Sequence, residues 1–164
     1  MTDVPGWKKT GIITVEELKK FGLIPPEERL KKGPCVIVEC PEEIPCNICV
    51  SACPVGAISK EKIYNIPKVD WEKCTGCGNC VLICPGLACF VVDLSHDDYA
   101  LVTVPHEFLP PKVGEKVILL GRDGRKLGEG EVVRVIERNK TYAITVKVKP
   151  ELAMEVRAVW KKMK

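Results

Sequence analysis

The sequence predicts an α+β fold, and three observations predict it. All ten cysteines of the 164-residue chain lie between Cys35 and Cys89, so a cysteine-rich middle is flanked by cysteine-free segments. Ahead of the cysteines, two short helical patterns carry their own start and stop residues. From about residue 99 the pattern turns to β, with alternating apolar runs separated by turn residues. These shifts divide the chain into an arm over 1–33, a cysteine domain over 34–94, and a small β domain with a closing helix over 95–164.

In the arm, Thr14-Val-Glu-Glu17 is a capping-box pattern before Leu18-Lys-Lys-Phe21, and Gly22 supplies a stop. A second helix is predicted to start at Pro25-Pro26, since proline suits a first turn, and to end near Gly33. Helices this short are not stable alone. The arm is therefore expected to dock on the cysteine region or on another subunit.

The cysteine region contains an internal repeat with an offset of 31 residues. Cys46-Asn-Ile-Cys-Val-Ser-Ala-Cys-Pro-Val-Gly-Ala-Ile58 aligns with Cys77-Gly-Asn-Cys-Val-Leu-Ile-Cys-Pro-Gly-Leu-Ala-Cys89. Strand-like runs precede the first half (Pro34 to Val38) and follow the second (Phe90 to Val92), and Lys62 to Trp71 is predicted to form a short β ribbon. The result is a pseudo-two-fold unit of short strands and helices.

Strands are predicted over Ala100–Val104, Lys116–Leu120, Glu131–Ile136 and Thr141–Val148. Tyr142, Ile144, Val146 and Val148 alternate with mostly polar neighbours, as a half-buried strand requires. Asp123-Gly124, Gly128-Glu-Gly130 and Asn139-Lys140 read as the turns between strands. Leu152, Val156 and Val159 at i, i+4 and i+7 predict a helix from Pro150 to about Lys162. This half reads as a small β-barrel or meander closed by a terminal helix.

Hydrophobic residues make up 46% and charged residues 29%, the balance of a folded domain rather than a disordered chain. A net charge of +3 with both signs interspersed gives no basic stripe for nucleic acid. The N-terminal stretch has no apolar core of a secretory leader. The longest apolar run, Val81 to Val92, falls short of the roughly 20 residues that span a membrane. A cytoplasmic location is expected, and there cysteines stay reduced, which favours metal or redox chemistry over disulfides.

Cys74-Thr-Gly-Cys77-Gly-Asn-Cys80-Val-Leu-Ile-Cys84-Pro matches C-x2-C-x2-C-x3-C-P, the iron–sulfur spacing, at every position. Three cysteines in a tight loop hold three irons of one cubane. The fourth, beyond a helical turn, points away to a second cluster. Structural zinc, built from two ligand pairs, gains nothing from the third cysteine at x2 and the Cys-Pro. Cross-ligation assigns Cys74, Cys77, Cys80 and Cys53 to one 4Fe-4S cluster, and Cys46, Cys49 and Cys84 with a further ligand to the other. The repeat puts Glu43 where that ligand should stand. Cys40 is the favoured replacement, because thiolate is the softer ligand and Pro41 and Pro45 stiffen the lengthened loop. Cys35, Glu43 or an incomplete three-iron cluster are the alternatives. Cys35 and Cys89 read as buried packing residues.

Other features attract less. Gly121 to Gly130 lacks the ending of a phosphate loop and reads as a hairpin. His96 and His106 have no partner at catalytic or metal spacing and read as surface loop residues. No nucleophile elbow or dinucleotide fingerprint is present, so no catalytic residue is assigned.

On these residues Cys40 to Val92 resembles a bacterial-type dicluster ferredoxin. Gly11-Ile-Ile-Thr, Pro-Pro-Glu-Glu-Arg, Cys-Pro-Glu-Glu-Ile-Pro-Cys-Asn, Cys-Pro-Gly-Leu-Ala and Glu151-Leu-Ala-Met-Glu-Val-Arg extend the likeness along nearly the whole chain. The pattern resembles the small iron–sulfur subunit of multisubunit flavin-dependent amine dehydrogenases of the dye-linked L-proline dehydrogenase kind. The resemblance implies flavoprotein partner subunits carrying FAD or FMN, and a non-catalytic electron-transfer role for this chain. A freestanding ferredoxin is the alternative, and a nucleic-acid-binding β-barrel with a structural cluster is a more distant one.

Overall fold

The computed structural model describes residues 4–163; residues 1–3, with which the proposed arm begins, and residue 164 lie outside the described residues. Three short helices open the chain: α1 (Gly6–Thr10), α2 (Val15–Lys20) and α3 (Glu27–Lys31). The capping box forms at α2: the Glu17 amide donates to the Thr14 hydroxyl, and the Thr14 amide donates to the Glu17 carboxylate. Pro26 caps α3 as the sequence predicts. The first helix, α1, is not legible in the sequence.

The repeat is written directly into the fold. Helices α4 (Ile48–Ala52) and α5 (Asn79–Ile83) sit 31 residues apart. Each ends at a cysteine in extended geometry, Cys53 with ψ 112° and Cys84 with ψ 115°. Pro54 and Pro85 enforce this, since a residue before proline is driven out of the α region. Strand β1 (Cys35–Val38) pairs with β4 (Cys89–Asp93), and β2 (Ile58–Ser59) pairs with β3 (Lys68–Val69), both antiparallel. Each pair joins the leading strand of one repeat to the closing strand of the other, which is the pseudo-two-fold relation. The short ribbon thus uses Ile58-Ser59 against Lys68-Val69, while 62–66 forms its turn.

Strands β5 (Ala100–His106), β6 (Lys116–Leu120), β7 (Lys126–Arg138), β8 (Thr141–Val148) and β9 (Ala158–Lys161) continue the same sheet, in the order β1-β4-β5-β8-β7-β6-β9. Strand β5 pairs directly with β4, so one antiparallel sheet runs through the cysteine region and the β half. The sheet is open, with β1 and β9 at its edges, and β6-β7-β8 is a meander; a closed barrel does not form. The predicted terminal helix is also corrected. A single 3-10 turn, Pro150–Leu152, leads through a turn to β9, which pairs with β6. Val159 is buried and Trp160 exposed, the alternation of a strand.

Two cores lie on opposite faces of the sheet. Along β1 and β4, Cys35, Ile37, Phe90 and Val92 face the larger core with Val102, Leu119 and Ile144. Val36, Val38, Cys89 and Val91 face a smaller one with Cys49, Cys80 and Val81 of the cysteine helices. Among the described residues no helix is long and apolar enough to cross a membrane.

Candidate iron–sulfur centres

Two cavities open beside the smaller core. One is lined by Cys53, Cys74, Cys77 and Cys80 with Val36, Ile58 and the loop glycines. The other is lined by Cys40, Cys46, Cys49, Cys84 and Cys89 with Glu39, Ile44, Ile48 and Lys60. In each case the cysteine at the end of one repeat's helix reaches the other repeat's cavity. Cys40 stands with the first-repeat thiols, whereas Glu43 lies away from them beside Trp7 and Phe21. Cys35 lies on the opposite face of β1, within the larger core.

Local backbone explains how the loops close. Gly76 and Gly78 take φ of 70° and 81°, which glycine alone adopts without strain, and Gly76 lies against Pro34. Amides aim at sulfur: Val36 and Gly76 donate to Cys74 Sγ at 3.3 and 3.4 Å. Ala57 donates to Cys53 Sγ at 3.2 Å, and its repeat mate Ala88 donates to Cys84 Sγ at 3.4 Å. Arg29 of α3 is buried and clamps the second loop, donating from Nε to Trp71 O at 2.7 Å and from Nη2 to Cys74 O at 2.8 Å. Lys60 Nζ donates to the carbonyls of Cys46, Ile44 and Ile63 and so gathers the first loop.

Electrostatics favour the thiolate at Cys74, Cys80 and Cys84. The neighbouring Cys35 thiol, with the Val36 and Gly76 amides and the Arg29 charge, outweighs burial and brings Cys74 down to about 6. Cys84 also falls to about 6, through the Cys89 thiol and the amides of Ala88, Gly86 and Leu87. Cys80 is lowered by the same Cys89 thiol. Burial raises Cys40 and Cys49, and the Lys60 charge offsets part of that. Cys35 and Cys89 are themselves pushed up, by the neighbouring cysteine sulfurs and by burial. Thiolate is the form that ligates metal.

Cys35 and Cys89 are buried in the two cores, as the sequence predicts. Cys35 shares the larger core with Cys74, and Cys89 shares the smaller core with Cys80 and Cys84, near enough to perturb their thiols. Sequence reading misses this because the neighbours arrive through the fold. His106 is a correction: it ends β5 opposite Tyr142, is only 5% exposed, and makes a 3.3 Å contact from Nε2 to Leu109 O. His96 does lie in a loop, stacked on Tyr99 at 4.4 Å.

The donor set fits iron–sulfur clusters: soft thiolates, N–H groups directed at sulfur, and a cavity for each group. Among the described residues, no three Cys, His, Asp or Glu side chains gather closely enough to hold a single metal ion. The thiols are spread around cavities instead.

Comparison with known proteins agrees. Residues 44–88 match the model of a 4Fe-4S dicluster domain, and residues 68–132 match that of a 4Fe-4S single cluster domain. The chain carries ferredoxin-type 4Fe-4S domains. The dicluster match begins after Cys40 and Glu43, where the first loop departs from the common spacing.

Over 53 residues, 32% of this chain and 14% of the relative, it is 43% identical to the beta chain of the dissimilatory-type sulfite reductase of Archaeoglobus fulgidus. It is 45% identical over 53 residues to the polyferredoxin-like subunit of an aliphatic sulfonate oxidoreductase of Pyrococcus furiosus, covering 32% of this chain and 28% of that one. A subunit of an ion-translocating oxidoreductase complex of Methanosarcina acetivorans is 48% identical over 42 residues, 26% of this chain and 15% of the relative. The chain thus spans between 14% and 28% of the length of these relatives. No solved structure gives a significant match.

Proposed function

We propose that this chain is an electron-transfer subunit holding two 4Fe-4S clusters, one on Cys40, Cys46, Cys49 and Cys84 and one on Cys74, Cys77, Cys80 and Cys53. The observation that carries the reading is the pair of cavities, one lined by the four cysteines of the second cluster and the other by the four of the first together with Cys89, with Cys53 and Cys84 crossing between repeats. When bound, such clusters supply single-electron acceptance and release at potentials set by burial and hydrogen bonds. The chain's own residues hold the thiolates and donate amides to sulfur. Cysteines of both proposed sites border the same smaller core, which supports reading the sites as neighbours.

The relatives are named as subunits of larger oxidoreductases, which supports a partner-bound role. In the finer reading, the partners are flavoprotein subunits of an amino-acid dehydrogenase of the L-proline type, and electrons pass one at a time between their flavins through this chain. Residues 34–94 would carry the clusters, while 1–33 and 95–164 are the segments a freestanding ferredoxin does not need. Anaerobic isolation of the chain from its native source tests this. A stable complex containing FAD or FMN and oxidising L-proline is the expected result; a flavin-free brown monomer would instead favour a freestanding ferredoxin.

A further inference from the structure

A buried ion network lies beside the first cavity. The Glu39 side chain is 6% exposed and meets Arg122 and Arg157, 8% and 3% exposed. Arg122 donates from Nη2 to Glu39 Oε1 at 2.6 Å and from Nε to Oε2 at 3.0 Å, and Arg157 Nε donates to Oε1 at 2.7 Å. Arg157 is fixed in turn: Nη1 donates to the carbonyls of Ala153 and Val156, and its amide donates to Leu120 O. Its guanidinium lies 5.0 Å over the Phe90 ring.

Burying such charges is costly, and apolar residues of similar volume would hold a sheet together as well. The position of the network points to another use. Glu39 immediately precedes Cys40 and lines the same cavity. Two residues beyond Cys40, Glu42 accepts a 2.8 Å bond from Trp7 Nε1 and pairs with Lys8 at 3.5 Å. Cys40 is therefore bracketed by two tethered carboxylates. One is tied to the β half through Arg122 and Arg157, and the other to α1. The segment from Cys40 to Cys46 is longer than its counterpart in the second repeat and has more conformations to lose. A ligand must nevertheless be held to within roughly 0.5 Å.

We infer that Glu39 and Glu42 are positioning residues for Cys40, and that the two segments outside the cysteine domain serve to fix this displaced ligand. The inference rests on the two-cluster reading. Glu39 borders the first site and Arg122 lies directly behind it, so removing the one charge and removing the other shift that site's potential in opposite directions.

The test uses the full chain, anaerobically loaded, as Glu39→Gln, Glu42→Gln and Arg122→Gln variants. Loss of each cluster to a chelator is followed by electron paramagnetic resonance, together with the midpoint potential of each. In Glu39→Gln and Glu42→Gln the first cluster is expected to be lost several-fold faster, with the second at the wild-type rate. Its potential is expected to rise in Glu39→Gln and fall in Arg122→Gln. Wild-type loss rates for both clusters, or equal acceleration of both, overturn the inference. If Glu39→Gln does not fold, Glu42→Gln carries the test, because Glu42 is half exposed and outside both cores. Only one cluster in the wild-type protein would overturn the two-cluster reading itself, a result distinct from these.

Discussion

Gly76 occupies a position that no other residue fits. A Cβ there would stand 2.5 Å from Pro34 Cβ and 2.9 Å from Pro34 O, and its φ of 70° is already unfavourable for an L side chain by about 1–2 kcal/mol. Gly76→Ala is expected to displace the Cys74–Cys77 loop, so that anaerobically purified protein loses the second cluster and keeps the first. Unchanged iron and sulfide content would contradict this. The glycine is legible from the motif; Pro34 is not, because it arrives from the residue before β1. Glu39 leaves a faint trace. In Val36-Ile-Val-Glu-Cys40 it continues the alternation on the face opposite Val36 and Val38, and a buried charge just past a buried strand demands a partner. Arg122 and Arg157 answer that demand from far along the chain.

Among elements, the strands are the most legible, since β6 and β8 match their predicted bounds and Asn139-Lys140 forms the tight turn with φ of 51° and 67°. Gly128-Glu-Gly130 reads as a turn in the sequence but lies within β7. A side chain at 130 would meet Leu119 and Lys147 O at 2.9 Å, so glycine there allows strands to approach rather than reverse. The closing segment deceives for a related reason. Leu152, Val156 and Val159 suit a helical stripe, but the free edge of β6 takes Ala158–Lys161 as a strand and the Arg157 amide bonds to Leu120 O. Tertiary pairing overrides periodicity.

Strand β5 carries its own pH dependence. Burial holds the His106 imidazole below its ordinary 6.5. The unfolded state then binds more protons, so stability is full above about pH 6.5 and is lost as pH falls through the folded value. Denaturant unfolding between about pH 7 and about pH 5.5 is expected to weaken more in wild type than in His106→Gln. Equal losses would show that His106 is not the titrating group.

At the scale of the whole molecule, the pseudo-two-fold is the most legible feature, because the 31-residue offset governs helices, strand pairs and sulfur-directed amides alike. The single sheet is not legible, since nothing local announces that β5 will pair with β4. That pairing, with the Glu39 network, ties the β half to the cysteine region. The central claim is two four-iron clusters with Cys40 as the displaced ligand. Iron and acid-labile sulfide counted per chain in anaerobically purified wild type and Cys40→Ala, with the spectra of each, test it most directly. About eight irons are expected in wild type and a single intact four-iron cluster in Cys40→Ala. Two intact clusters in Cys40→Ala would contradict it.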